Sequence, residues 1–412
     1  MSLIVQKFGG TSLAGLDRIR HAARRIVETR KAGHEVVVVV SAMAGETDRL
    51  VGLAHDISPD PDPREYDVLV STGETQTSAL MVMAVQALGV PSRSFTGAQV
   101  RVRTDTAHTR ARIQAIDVAP IRDELARGAI VVVAGFQGTD QEGNITTLGR
   151  GGSDTSAVAV AAALKADWCE IYTDVEGVFT SDPNMVPAAR KLERVSYDEM
   201  LEMASLGVKV LQIRAVKFAK QYGIPLHVRS SFSDEEGTWV VTEEDVMERL
   251  VVSGVTYNRG EAKVTIFGIP DTPGVAARIF SEISDSGVVV DVIVQNVSTR
   301  GHTDLTFTVP RGDLSRVLPL MQRLADEFGA AGITSDDSIA KISVVGLGMR
   351  DHAGVASKMF RVLSEEGINI EMINTSEIKI SVVIEEKYTE LACRALHEVF
   401  ELGAGTGISE ES

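Results

Sequence analysis

The chain has 412 residues, 44% of them hydrophobic and 24% charged, a composition that suits a soluble globular protein of two or three domains. Its 41 basic and 57 acidic side chains leave a formal net charge of −16, which makes nucleic acid and anionic membranes poor partners. Cys169 and Cys393 are its two cysteines, with no CxxC pair and no clustered histidines, so neither a disulfide framework nor a structural zinc site is supported. The N-terminal residues show no basic leader or cleavage site and no apolar run approaches a membrane span, so a cytoplasmic location is expected.

Residues 2–8 read as a strand broken by Gly9 and Gly10. Apolar residues then recur at helical spacing over 17–31, at Ile19, Ala22, Ala23, Ile26 and Val27, and Gly33 closes the segment. Residues 36–40 form an uninterrupted valine run, the mark of a strand buried on both faces. Together these make a βαβ unit with a parallel sheet and a right-handed crossover. Further strands are expected at 129–134, 169–172 and 225–228, and helices at 75–88 and 205–222. Residues 1–235 therefore read as one large α/β domain, a mainly parallel sheet covered on both faces in three layers. Residues 236–249 read as a linker with a short acidic helix.

Ligands of such sheets bind beyond the carboxyl ends of the strands. Lys7 stands there beside Gly9 and Gly10, placed to meet phosphate oxygens or, alternatively, to snorkel to the surface. Ser41 and Thr47 follow the second strand as candidate substrate hydroxyls or helix caps. Glu74 opens a helix, where it could pair with an ammonium group or complement the helix dipole. Thr147–Leu148–Gly149–Arg150–Gly151–Gly152–Ser153–Asp154 is a glycine-rich loop running into a small-residue helix, and its unpaired N–H groups suit an anion. Arg150 adds a fork that fits a carboxylate, and Asp154 a charge that could orient a lysine or hold Mg²⁺. Residues 173–183 mix hydroxyls, carboxylates and the Phe179 ring, as an adenine and ribose slot or a plain turn would. No G-x-x-x-x-G-K-[ST] loop is present.

Beyond about residue 250 the chain contains a duplication. Residues 262–268 match 340–346, residues 274–280 match 354–360, and residues 287–291 match 367–371. Each copy reads strand, loop, helix, strand, strand, helix, a split βαβ pattern that places helices on one face of an antiparallel sheet. The segment after the last helix is too glycine-rich for a strand, whereas 250–256 is strand-like and precedes the first copy. The expectation is therefore of two interleaved copies, 262–336 forming the first and 250–261 plus 337–408 the second.

Lys7–Phe8–Gly9–Gly10–Thr11–Ser12, Ser94–Phe95–Thr96–Gly97, Gly135–Phe136–Gln137–Gly138, the loop from Thr147 to Asp154, and Tyr172–Thr173–Asp174–Val175–Glu176–Gly177–Val178 together resemble the aspartate kinases of the amino acid kinase superfamily. The duplicated units resemble ACT domains, amino-acid sensors of ferredoxin-like α+β fold that pair through their sheets. The resemblance implies transfer of the γ-phosphoryl group of ATP, with Mg²⁺ carried mainly on the nucleotide, to the β-carboxylate of L-aspartate. That would be the first step toward lysine, threonine and methionine. By the same resemblance Lys7 neutralises the phosphoryl group in flight and Asp154 organises it, with Gly9, Gly10 and Gly152 supplying N–H groups. Arg150 clamps the α-carboxylate of aspartate and Glu74 meets its ammonium, with Ser41, Thr47 and Ser153 lining the pocket. Thr173, Asp174, Phe179, Asp182, Lys209 and Val210 take nucleotide-binding positions, Phe179 standing where some relatives carry tyrosine.

For the sensor copies the resemblance implies effector sites at Asp271, Pro273, Gly274, Val275 and Ala276, with Asp291, Gln295 and Asn296, and at Arg350, Asp351, His352, Gly354 and Val355, with Asn374 and Thr375. Lysine and threonine are the expected effectors, told apart by carboxylates such as Asp271, Asp291 or Glu371. A homo-oligomer formed through these domains is expected, and Met247 lies where an internal start could produce a separate sensor-only subunit. Two other readings stay open at this point: a sibling kinase acting on glutamate or N-acetylglutamate, and a non-catalytic sensor with a decayed kinase domain.

Overall fold

A computed structural model describes residues 1–206, 210–246, 251–296, 301–350, 352 and 354–403. By its contacts the chain divides into two compact units, one comprising Met1–Phe179 and Lys191–Glu248, the other Thr180–Arg190 and Arg249–Ser412.

The first unit begins with β1 (Leu3–Phe8), α1 (Leu16–Lys31), β2 (Glu35–Val40), α2 (Glu46–Ile57), α3 (Pro63–Val70) and α4 (Thr72–Ala87). It continues through β3 (Ser92–Phe95), β4 (Arg103–Thr104), β5 (Ile113–Ala115), α5 (Ala119–Ala126), β6 (Ile130–Ala134), β7 (Gln137–Thr139) and β8 (Ile145–Thr147). Its last elements are α6 (Gly152–Leu164), β9 (Trp168–Thr173), β10 (Arg194–Ser196), α7 (Tyr197–Ser205), α8 (Ile213–Tyr222), β11 (Leu226–Ser230) and β12 (Thr238–Val241). Eight strands form one sheet in the order β10-β12-β11-β9-β1-β2-β6-β3, parallel except where β12 runs antiparallel to β11. A smaller sheet, β5-β4-β7-β8, carries the approach to the glycine-rich loop.

The valine run of β2 shows why this sheet sits in the middle. Val36, Val38 and Val40 pack with Ile19, Ala23 and Ile26 of α1 and with Met81 and Val85 of α4. Val37 and Val39 point to the opposite face and are equally buried. Helix α6 is built almost wholly of buried small residues, Ala157 to Ala161 among them, which lets it lie close against the sheet.

Two expectations are corrected. The helix expected over 205–222 does not form as one element: α7 ends at Ser205 and α8 starts only at Ile213, because Gln212 takes an extended conformation and its side chain caps the Arg214 N–H. The linker expected over 236–249 begins instead with β12, an added strand of the large sheet in which Val240 pairs with Leu226, while the short acidic helix expected there does form, as a single 3-10 turn at Glu243–Asp245. Gly237, just before β12, has φ +86°, where a Cβ would stand 2.0 Å from the Val228 carbonyl oxygen.

The second unit carries the duplication. Its elements are β13 (Gly254–Asn258), β14 (Glu261–Pro270), α9 (Val275–Asp285), β15 (Ile293–Gln295), β16 (His302–Pro310), α10 (Leu314–Phe328) and β17 (Gly332–Asp336). The second copy follows as β18 (Ile339–Val345), α11 (Val355–Glu365), β19 (Met372–Thr375), β20 (Lys379–Glu385) and α12 (Thr389–Val399). The sheets run β15-β16-β14-β17 and β13-β18-β20-β19. Thus β13, which precedes the first copy, pairs antiparallel with β18 of the second, Val255 opposite Val344. It occupies the edge that β17 fills in the first copy. Gly274 and Gly354 begin α9 and α11 in the same left-handed conformation, each at φ +102°.

Candidate active site and sensor unit

Parallel pairing brings the carboxyl ends of β1, β2, β6 and β9 to one edge of the sheet, and with them Lys7, Ser41, Gly135 and Thr173. Lys7 lies opposite Val39 and Ile171 in register, and its Nζ stands 2.5 Å from Asp154 Oδ1 in the first turn of α6. Both side chains are about nine-tenths buried, so this ion pair is weakly screened by solvent. The glycines around it admit close packing. A Cβ on Gly9 would lie 3.3 Å from Lys7 Nζ, one on Gly10 3.1 Å from the Ala42 carbonyl oxygen, and one on Gly135 3.0 Å from Ser153.

The expectation that Gly9 and Gly152 offer open N–H groups is not met in this arrangement. The Gly9 N–H donates to the Tyr172 carbonyl and the Gly152 N–H to the Gly149 carbonyl, so their role here is close approach. Gly152 is wedged against Leu148 and Phe136, either of which a Cβ would approach to 2.8 Å. Gly149 and Gly151 hold positive φ, +77° and +69°, and make the turn that exposes Arg150. Phe136 adopts φ +67° beside this loop, a conformation costly for a side chain that bears a Cβ.

Glu74 lies in the first turn of α4 and is 3% exposed. Its Oε1 accepts the Ala42 N–H at 3.0 Å, while Oε2 is buried with no hydrogen-bond partner. Burial pushes this carboxyl up to about 7, the Ala42 N–H partly opposing the shift. A buried carboxylate with one open oxygen is what an ammonium ligand would complete. Thr47 sits in the first turn of α2 and Ser41 follows β2, both part-buried.

Loop 147–151 is held from several sides. Asp67 of α3, fully buried, accepts from the Thr147 N–H at 3.0 Å and the Thr147 hydroxyl at 2.5 Å. Arg214 donates to the Leu148 carbonyl at 2.6 Å and to the Ala111 carbonyl at 2.9 Å. Neither residue is marked by the sequence pattern, since the partners of each lie in segments far away in the chain.

Of the nucleotide candidates, Thr173 donates its hydroxyl to Asp174, which is exposed, Val210 is part-buried and Lys209 lies outside the described residues. Phe179 ends the part of this segment that belongs to the first unit and forms a bridge with Lys191. Asp182 belongs to the second unit, where its carboxylate accepts from the Tyr257 hydroxyl at 3.0 Å.

In the second unit, Asp271, Pro273 and Gly274 are exposed, Val275 is buried and Ala276 is part-buried. Gln295 and Asn296 are exposed on or beside β15, and Asn296 lines a cleft of about 560 Å³ with Lys263, Thr265, Thr306 and Glu371. His352 Nδ1 lies 2.8 Å from the Gly348 carbonyl, Arg350 is 3.4 Å from Glu377, and Gly354 and Val355 begin α11. Asn374 and Thr375 end β19; Asp351 and Met247 lie outside the described residues.

Two of the three carboxylates suggested to discriminate effectors have ion-pair partners in this structure. Asp291 pairs with Lys341, which also binds Glu261, and Glu371 pairs with Lys263. Each copy's lysine thus takes the other copy's acid; Asp271 and Asp291 are exposed and Glu371 is part-buried. Among the described residues no group of three or more His, Cys, Asp or Glu could hold a metal ion, and no helix is long and apolar enough to cross a membrane.

A buried lysine at the end of β1 paired with an acid at the start of α6, together with a duplicated α+β unit, is an arrangement that suits an amino-acid phosphotransferase with added regulatory domains. Comparison with known proteins agrees. Residues 2–230 match the amino acid kinase family, and residues 263–329 and 342–400 each match the ACT domain. An aspartate kinase of Stutzerimonas stutzeri is 58% identical over 412 residues, covering all of both chains. E. coli aspartokinase III in complex with aspartate and ADP, described as the R-state, has a TM-score of 0.79 at 26% identity, covering 96% of this chain and 99% of its own. The same protein with lysine and aspartate, described as the T-state, has a TM-score of 0.76 over the same shares. The chain belongs to the amino acid kinase family and, within it, to the aspartate kinases.

Proposed function

We propose that the chain transfers the γ-phosphoryl group of ATP to the β-carboxylate of L-aspartate, forming 4-phospho-L-aspartate on the route to lysine, threonine and methionine in the cytoplasm. The observation that carries this reading is the pairing of two buried charge sites at one sheet edge: Lys7 with Asp154, and Glu74 with its open oxygen. The β-carboxylate is ionised at neutral pH, having an ordinary pKa of about 3.9, so no general base is required. The residues must instead align two anions and offset their repulsion. Lys7, held by Asp154, supplies positive charge at the phosphoryl group; Arg150 receives the α-carboxylate and Glu74 the ammonium. ATP brings its own charge-neutralising Mg²⁺, which commonly keeps several waters and few protein ligands.

Lysine, threonine or both acting through the ACT copies make up the regulatory part of the proposal, in a homo-oligomer joined by those domains and with room for a sensor-only subunit. What supports regulation is the path of the chain. Directly after Phe179 the polypeptide enters the second unit, where Met185 and Val186 join the core of the second copy. There the Thr180 hydroxyl meets His397 at 2.9 Å and the Thr180 carbonyl accepts from Val255. The segment that carries the proposed nucleotide residues Thr173, Asp174 and Phe179 is thus continuous in sequence with part of the second copy's core.

The test is release of ADP with L-aspartate and then with L-glutamate as acceptor, repeated with lysine and threonine singly and together. Turnover with aspartate alone is expected, reduced by at least one effector. Equal rates with glutamate would refute the substrate assignment, and insensitivity to both amino acids would refute the regulatory one.

A further inference from the structure

Asp67 is a carboxylate that the proposed chemistry leaves unused, yet it is fully buried and saturated with donors. Its Oδ2 accepts from His108 Nδ1 at 3.0 Å, from the Thr109 N–H at 3.0 Å and from the Thr147 N–H at 3.0 Å. Its Oδ1 accepts from the Thr147 hydroxyl at 2.5 Å and from the Thr109 N–H at 3.1 Å. Charge-assisted bonds of this kind are roughly twice as strong as neutral ones, and all converge on one residue in a dry site.

The partners are informative. Thr147 is the first residue of the loop that presents Arg150, and Thr109 borders the same loop, its carbonyl oxygen lying 3.0 Å from where a Cβ on Gly149 would stand. The Ala111 N–H also donates to the Thr147 carbonyl at 2.8 Å. On its other side Asp67 is anchored in α3, which passes through Ser71 directly into α4 and Glu74. The Ser71 carbonyl is itself fixed by Gln137 Nε2 at 2.8 Å. One carboxylate thus ties the segment that carries the proposed clamp for the α-carboxylate to the helix that carries the proposed partner of the ammonium.

We infer that Asp67 is a positioning residue for the acceptor amino acid: it sets the spacing between Arg150 and Glu74 and so governs affinity for aspartate without touching it. The inference rests on the roles proposed for Arg150 and Glu74. A small substrate carrying both charges on one carbon tolerates little error in that spacing, because a displacement of about 1 Å costs most of the benefit of alignment.

The test compares Asp67→Ala, Asp67→Asn, Arg150→Ala and the double variant Asp67→Ala with Arg150→Ala, measuring kcat and the KM values of aspartate and ATP. Asp67→Ala should raise the aspartate KM about tenfold or more while the ATP KM stays within about twofold. Asp67→Asn should recover part of the loss, since the Thr147 hydroxyl can reverse to accept from the amide. In the Arg150→Ala background the loss of Asp67 should add little, because both act on one contact. Full additivity, an unchanged aspartate KM, or equal loss for both substrates would overturn the inference. Should Asp67→Ala not fold, Asp67→Asn in both backgrounds decides the same question. If Arg150→Ala itself leaves the aspartate KM unchanged, the clamp assignment fails first, an outcome distinct from failure of Asp67 alone.

Discussion

Glu74 offers the sharpest test of how burial is turned into substrate binding. Its carboxyl has an ordinary value of 4.5 and is raised to about 7 by burial, with one oxygen bonded to Ala42 and the other open. An ammonium binds only the ionised form. From about pH 6 to about pH 8 the ionised fraction of a group titrating near 7 rises about tenfold, whereas the ammonium and β-carboxylate of aspartate keep their charges. The aspartate KM should therefore fall by about that factor across this window, with the ATP KM much less affected. The same shift carries a stability signature. Because the folded state holds its proton more tightly, the contribution is fully present below 4.5 and is lost as pH rises through about 7. A shift of this size corresponds to about 3 kcal/mol as an upper figure. Glu74→Gln keeps the shape and removes the titration, so it should flatten both the aspartate KM profile and this part of the unfolding profile. Initial rates of ADP release across the pH series, beside chemical denaturation of both proteins, make the comparison. A wild-type KM that is flat or rises with pH, or a Gln variant that keeps the slope, would refute the reasoning.

Other perturbations separate the two ends of the glycine-rich loop and test the proposed regulation. Arg150→Ala should raise the aspartate KM with kcat largely kept, whereas Asp154→Ala frees Lys7 and should lower kcat about a hundredfold with the aspartate KM little changed; steady-state kinetics would expose a reversed assignment. Gly151→Ala places a Cβ 2.1 Å from Gln212 Cγ at φ +69°, so a loss of about 2 kcal/mol or more should appear in thermal unfolding. His397→Ala removes the buried partner of Thr180, and the proposed inhibition by lysine or threonine should weaken about threefold or more while basal turnover persists.

The local grammar of this protein is written in the chain. Valine runs, helical periodicity and glycine breaks place β1, α1, β2, β6 and β9 within a residue or two, since buried strands and amphipathic helices need those patterns whatever surrounds them. The repeat is equally legible, because two copies of one packing problem keep the same apolar spacing. The segment Thr238–Val241 is less so: β-rich but short, it becomes a strand because Gly237 lets it turn back onto β11.

The candidate site divides in the same way. Residue types and neighbours make Lys7, Glu74, Arg150 and Asp154 candidates beside other readings, and it is the resemblance to the aspartate kinases that gives them roles. Their working state is tertiary. The contact between Lys7 and Asp154, the dry pocket that raises the Glu74 carboxyl, the convergence of loops on Asp67 and the exchange of partners between Lys341, Asp291, Lys263 and Glu371 all join residues far apart in sequence. Desolvation and hydrogen-bond geometry depend on what packs around a group, and no local pattern records that. The sequence determined which elements form and which charged groups stand at their ends; the packing of those elements decided which charges are paired, which are buried, and which oxygen is left without a hydrogen-bond partner.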